Sequence, residues 1–413
     1  MNKERFVITL CAENSQELAD FVDVLNILSK IVTIKVNIVS LELLYHDLLF
    51  NGVLCKKALF DHEVLKVAPL FKSKYSFPYL NAKKKVLTVL KRKNQIVRFA
   101  KTGDLVLVGI QAVFQRLLYS QLKDRPVVAF HRAILFNHQG RTNRSRGLLC
   151  RGLGQLLKLM SLDYLIGPKS GVGYASHYLV VGNLNKEYLE SNDISPDRVT
   201  VVGSPTYDVV DRYYSSGEQA SGNKPLRIYF ITSAFEWIGD EKGEYWQKEK
   251  IREFIDLARN SNDIDLTIRV HPRESSEKYE LLKKNFPFIR IDQYNSTDLF
   301  ADLAKYDVVC GGFSTVLFEA MLISKPVICY LTEDEQKRYK YGIEQTELQY
   351  FTNIKEVNAM IQNRFLGGDK ESTKQLLEKQ KETVRRIIYF DPEESASERI
   401  ARSFLEIAET EIS

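Results

Sequence analysis

The stretch from Leu266 to Tyr330 most limits what this chain can fold into. Leu266-Thr267-Ile268-Arg269-Val270 is an apolar, β-branched run with the length of a buried strand. It stops at His271-Pro272-Arg273-Glu274, where the proline bars its continuation. A second strand, Asp307-Val308-Val309-Cys310, empties into Gly311-Gly312-Phe313-Ser314-Thr315, and Val316 to Met321 reads as a helix. Pro326 to Tyr330 reads as a third strand. Strand, glycine turn, helix and strand make a parallel crossover, and parallel sheets bind ligands beyond the carboxyl ends of their strands. Glycine lets the backbone approach a ligand closely, and the N–H groups at a helix start attract phosphate.

That pattern makes His271, Pro272, Arg273, Gly312, Ser314 and Thr315 candidates for holding a nucleotide phosphate. Glu319, one turn into the helix, can accept hydrogen bonds from ribose hydroxyls. Plainer readings exist for each: Ser314 can simply cap the helix, and His271 can be a surface residue fixed by its proline. Neither a full dinucleotide fingerprint nor a P-loop is present. The occurrence of both motifs in adjacent crossover units favours the pocket.

With 413 residues the chain can build two domains with full cores. A net charge of +5 is too modest to imply a nucleic-acid partner. Cys11, Cys55, Cys150, Cys310 and Cys329 are odd in number and lack CxxC spacing, which reads as thiols in a reducing cytoplasm. The start of the chain resembles a core strand rather than a signal peptide, and no apolar run has the length of a bilayer span. A cytoplasmic location is expected.

Taken in order, Phe6–Leu10, Val32–Val39, Asp104–Gly109, Pro126–Phe130, Tyr178–Gly182 and Arg198–Gly203 read as buried strands of a first α/β domain. The polar tract after Tyr207, with Ser215-Ser216-Gly217 and Ser221-Gly222-Asn223, reads as a linker, and Leu226 to Thr232 restarts the pattern. The expected division is 1–206, a linker at 207–224, a nucleotide domain at 225–390, and a terminal helix within 391–413 that crosses back to the first domain. Both domains are expected to be doubly wound, with a cleft between them.

Glu13 follows the first strand, where site residues of such folds sit, or else it serves as a charge at a helix N-terminus. His138, in Asn137-His138-Gln139-Gly140, is placed for proton transfer near neutral pH, or is an ordinary loop histidine. Arg141 and Arg144, with Arg146 and Arg151, form a basic cluster suited to phosphate or carboxylate. Between Lys72 and Lys101 there is no acidic residue, and Lys83–Lys101 reads as a basic amphipathic helix. Such a helix can rest on an anionic membrane or simply face solvent; a nucleic-acid groove is disfavoured because no stacking aromatics accompany the charge.

Four pieces of this sequence resemble the GT-B glycosyltransferases, and within them the bacterial cell-surface glycan transferases. These are Val202-Gly203-Ser204-Pro205, Arg269 through Glu274, Phe313-Ser314-Thr315 with Glu319 and Lys325-Pro326, and Asp391 through Ile400. The group includes CDP-glycerol glycerophosphotransferases, capsular Kdo transferases and sialyl- and polysialyltransferases. The resemblance covers roughly residues 178 to 405 and implies two Rossmann-like domains and a nucleotide-sugar donor, with no cofactor and no metal. His271 and the Ser314-Thr315 turn would hold the donor phosphate, and Ser204 joins Arg141 and Arg144 as a substrate-binding candidate. Where the sialyltransferases carry an acidic pair before glycine, this chain has no match, which leaves His138 and Glu13 as candidate bases. The expected activity is transfer of a sugar, preferably a CMP-linked nonulosonate or Kdo, to a glycan or lipid-linked acceptor. A UDP-N-acetylglucosamine 2-epimerase-like isomerase and a non-catalytic nucleotide-binding partner are the alternatives.

Overall fold

All strand pairs among the described residues of the computed structural model are parallel, so every link between neighbouring strands is a crossover. The structure describes residues 5–12, 15–40, 57–65, 82–109, 113–122, 124–131, 175–213, 224–275, 277–293 and 298–412. Two compact units result: Met1–Asp208 together with Ile387–Ser413, and Val209–Arg386. The architecture is therefore α/β, with one doubly wound parallel sheet per unit.

In the first unit seven strands run in the order β3-β2-β1-β4-β5-β6-β7. They are β1 (Phe6–Ala12), β2 (Ile34–Ser40), β3 (Asp61–Val64), β4 (Leu105–Val108), β5 (Val127–His131), β6 (His177–Val180) and β7 (Val199–Val201). One face of β1 sends Phe6, Ile8 and Leu10 against Leu18, Phe21 and Leu25 of the helix Ser15–Ile31. On the opposite face Val106, Val108 and Ala129 meet Val89 and Ile96 of the helix Ala82–Ala100. A sheet covered on both faces needs strands that are apolar throughout, which is why β4 reads Leu-Val-Leu-Val. The edge strand β3 is Asp-His-Glu-Val and largely exposed, so it carries no such signal.

The terminal helix Ala396–Ile412 belongs to this unit and buries Ile400, Ala401 and Phe404 in the same core as Phe21. Its N-terminus is held by Asp208, whose carboxylate accepts the N–H groups of Ala396 at 2.6 Å and Ser397 at 3.1 Å and the Ser397 hydroxyl at 2.6 Å. Arg399 donates to the Val202 carbonyl at 2.9 Å and lies 4.7 Å from the centre of the Tyr389 ring. Gly203 has φ +81°, and a Cβ there would fall 2.6 Å from the Tyr389 carbonyl oxygen. Gly182 is tighter still, with Ile387 O only 1.9 Å from where a Cβ would stand. Gly182→Ala is therefore expected to cost the first unit about 2 kcal/mol or more, by overpacking against backbone. A denaturation curve identical to that of the unsubstituted protein would refute this.

The second unit carries six strands in the order β10-β9-β8-β11-β12-β13. They are β8 (Leu226–Ile231), β9 (Ile264–Val270), β10 (Arg290–Gln293), β11 (Val308–Gly311), β12 (Val327–Tyr330) and β13 (Tyr350–Phe351). Chain order runs outward from β8 to β10, then returns to β11 on the other side of β8. The winding direction thus reverses between β8 and β11, and ligand crevices of open α/β sheets form at such a point. Val210–Tyr213, within the segment expected as linker, instead forms a 3-10 turn of this unit, with Tyr213 stacked on Phe300 and bonded to Asp298. Residues 214–223 of that segment lie outside the described residues.

Candidate functional site

Strand register brings the two sequence motifs of the second unit to one edge. Ile231 of β8 pairs with Arg269 of β9 on one side and Gly311 of β11 on the other. His271 and Phe313 each follow two residues beyond that common level. The loop Thr232–Ala234 leaves β8 between them. His271-Pro272-Arg273 and Gly312-Phe313-Ser314-Thr315 therefore flank the winding reversal at the carboxyl edge.

The turn at His271 is tied down from several directions. Its backbone N–H donates to the Thr232 hydroxyl at 2.8 Å, and its carbonyl accepts the Glu274 N–H at 2.9 Å. The Arg273 N–H donates to His271 Nδ1 at 3.1 Å. Nδ1 is thus an acceptor, so the neutral ring carries its proton on Nε2, where it can be donated to a ligand oxygen. Burial pushes the His271 pKa down, and Glu274 opposes that shift while Arg273 and Arg269 reinforce it. The ring is accordingly neutral at pH 7. Arg273 is exposed and lies 4.6 Å over the ring of Trp237.

Across β8, Ser314 is the N-cap of the helix Thr315–Leu322, and its hydroxyl accepts the Val316 N–H at 3.4 Å. The plainer sequence reading of Ser314 is therefore realised, and the long bond leaves the hydroxyl able to serve a ligand as well. Thr315 is exposed at the first helical position, and Glu319 is half-buried one turn on. Phe313 packs edge-on against Phe318 at 5.9 Å and stacks on Tyr339 at 5.5 Å. That packing fixes the backbone of the turn.

Beneath the turn lies a buried ion pair that the motif search did not find. Lys250 Nζ contacts both carboxylate oxygens of Glu335, at 2.7 and 2.8 Å, with the side chains 3% and 1% exposed. A Cβ on Gly312 would stand 3.2 Å from that ammonium and 3.6 Å from Glu335 Oε1. Glu335 also closes a capping box with Thr332 at the start of the helix Glu333–Thr346. Both residues left traces in the sequence. Thr332-x-x-Glu335 is the capping-box pattern, and Lys250 falls at helical spacing among the buried Gln247, Ile251 and Phe254. A lysine on an apolar face calls for a buried partner.

Of the other sequence candidates, Glu13, His138, Arg141 and Arg144 lie outside the described residues. Ser204 is 2% exposed, in the turn that seats the terminal helix beside Val202 and Gly203, which favours a packing role over the substrate contact expected for it. His131, which ends β5 at the carboxyl edge of the first sheet, is buried, packs edge-on against Tyr178 at 5.7 Å, and has its pKa pushed down by burial to about 4.

No protein-family model matches the sequence, and no curated protein matches it. Solved structures do match along nearly the whole chain. A UDP-N-acetylglucosamine 2-epimerase aligns with TM-score 0.58 at 15% identity, covering 99% of this chain and 98% of its own. The UDP-GlcNAc 2-epimerase of Neisseria meningitidis, bound to UDP-GlcNAc, aligns with TM-score 0.55 at 13% identity, covering 97% and 100%. The wall teichoic acid polymerase TagF aligns with TM-score 0.55 at 12% identity, covering 99% and 90%. At these identities the likeness establishes the fold: two Rossmann-like α/β domains of the GT-B kind.

Proposed function

We propose that the protein is an enzyme of glycan biosynthesis that binds a nucleotide-linked sugar or polyol through phosphate contacts in its second unit. The observation that carries this reading is the pairing of a neutral His271, proton on Nε2, with the capped glycine turn across the winding reversal. His271 Nε2–H and the start of the helix Thr315–Leu322 would face phosphate oxygens, with Arg273 adding charge. Glu319 would accept from the ribose. Charge building on the nucleotide as its bond to the sugar weakens would be met by these same donors.

Two reactions fit the site. Epimerisation of UDP-N-acetylglucosamine is favoured by full-length likeness to several such epimerases, two of them bound to UDP-GlcNAc. Transfer to an acceptor hydroxyl is favoured by the likeness to TagF, two structures of which were soaked with CDPG. The first reading has support at least equal to the second, whereas a CMP-linked nonulosonate or Kdo donor rests on the motif resemblance alone. In either case the reaction needs a base at the sugar or the acceptor. Glu13 and His138 remain the proposed groups, with Arg141 and Arg144 on the substrate.

Incubation with UDP-GlcNAc and no acceptor separates the readings, because a 2-epimerase forms the manno isomer unaided. Thermal shifts with UDP, CDP and CMP test the site itself, since saturating ligand at 100 times Kd stabilises by about 2.7 kcal/mol. His271→Ala is expected to weaken the binding nucleotide roughly tenfold or more, through loss of one hydrogen bond to a charged oxygen. No shift with any nucleotide would overturn the proposal.

Among the described residues no helix is long and apolar enough to cross a membrane. The helix Ala82–Ala100 nonetheless exposes Lys84, Lys91 and Arg98 at seven-residue intervals, with Leu87 and Leu90 beside them. We propose that this stripe rests on anionic lipid. Replacing its three basic residues by glutamate is expected to abolish cosedimentation with phosphatidylserine vesicles at low salt, and unchanged cosedimentation would rule the contact out.

A further inference from the structure

Glu274 is part of the same loop as His271, yet its side chain is 0% exposed. Four side chains donate to it. Tyr279 OH reaches Oε2 at 3.0 Å, Gln247 Nε2 reaches Oε1 at 3.0 Å, Lys278 Nζ reaches Oε1 at 2.9 Å, and the Thr232 hydroxyl also bonds Oε2. Thr232 in turn accepts the His271 N–H at 2.8 Å. Gln247 carries the same network to the loop after β8, accepting the Ser233 N–H at 2.6 Å.

We propose that Glu274 is a positioning residue for His271: it orients the Thr232 hydroxyl, which fixes the His271 backbone and so the nitrogen that the ring presents at the carboxyl edge. The chain of contacts is short and specific. The Thr232 hydroxyl has one proton to give and two acceptors in reach, the Glu274 carboxylate and, at 3.1 Å, the Arg269 carbonyl; the carboxylate is the nearer and the charged one and takes the proton, leaving the Thr232 lone pairs for the His271 amide. The Arg273 amide is then held 3.1 Å from Nδ1, because Glu274 N–H and His271 carbonyl close the same turn. Without the carboxylate, Thr232 can turn its proton elsewhere, the turn loosens, and Nδ1 loses its donor. Burying a carboxylate costs desolvation that an apolar side chain would not, and here four donors offset that cost while the carboxylate orients the hydroxyl.

This inference rests on the site reading above, in that His271 is taken as the ligand donor, but its test needs no ligand. Ring nitrogen shifts of His271 are followed by 15N NMR against pH in the unsubstituted chain, Thr232→Val, Thr232→Ser and Glu274→Gln. The groups that bear on its titration are Glu274, Arg273 and Arg269. The unsubstituted chain and Thr232→Ser are expected to show the Nε2–H tautomer with a titration midpoint below 6.5. Thr232→Val and Glu274→Gln are expected to show mixed tautomers, and Kd for UDP raised about tenfold with Thr232→Ser near normal. If Glu274→Gln fails to fold, the Thr232 pair carries the test. The same tautomer and midpoint in Thr232→Val as in the unsubstituted chain would overturn the inference. Absence of UDP binding throughout, with the tautomer change present, would overturn the nucleotide reading and leave the positioning role standing.

Discussion

Glu335→Ala is expected to destabilise the second unit by about 3–5 kcal/mol, because it strands a buried ammonium. Lys250 has little else to turn to: beyond Glu335 it reaches the Tyr330 carbonyl at a long 3.4 Å. The same substitution removes one half of the capping box, the bond from the Thr332 N–H to the Glu335 carboxylate. Replacing both partners, Lys250→Met with Glu335→Leu, is expected to recover most of the loss, since two apolar groups remove the desolvation penalty along with the attraction. Urea unfolding of the unsubstituted chain, Glu335→Ala, Lys250→Met alone and the double variant decides it; either single substitution within about 1 kcal/mol of the unsubstituted chain would refute the account. The site should respond too. Gly312 lies directly over the pair, so nucleotide binding is expected to weaken in the single variants even under conditions where they remain folded.

Acidification is expected to remove about 3 kcal/mol from the first unit through His131, between pH 6.5 and pH 4. Burial holds its pKa near 4 in the folded chain, against an ordinary value near 6.5. Between those values the unfolded chain binds the proton and the folded one does not. The contribution is therefore present above pH 6.5 and is lost as pH falls toward the folded value. His131→Gln cannot titrate, so its stability should fall less over this window, and the difference between the two slopes isolates the histidine from the carboxylates. Equal slopes would show that His131 is not buried neutral.

Much of the fold was legible because parallel strands buried on both faces are predominantly apolar. β4, β5, β11 and β12 announce themselves as short, mostly apolar runs rich in Val, and β9 by its Leu, Ile and Val among polar residues. Of the four edge strands among the described residues only Val199–Val201 carries that signal. Asp61–Val64, Arg290–Gln293 and the two-residue Tyr350–Phe351 each pair on one side only and carry polar or isolated residues, so no local pattern marks them. The helix Glu241–Arg259 carries an apolar signal only from Ile251 onward, where its buried residues turn from Gly, Gln and Lys to aliphatic and aromatic.

The candidate site divides along the same line. Sequence alone determined which residues stand at strand ends, because His271-Pro272 and Gly311-Gly312 interrupt apolar runs by their backbone chemistry. Sequence also determined the cap at Ser314, a contact made within three residues. Tertiary structure decided the rest: that β8 separates the two motifs, that Glu274 collects donors from residues up to 42 positions away, and that Lys250 meets a carboxylate 85 positions along the chain. Local sequence fixes conformation through steric limits and neighbouring hydrogen bonds, which act over a few residues. The partners of buried charges are set by which helices the crossovers lay side by side, and that information exists only once the sheet has formed.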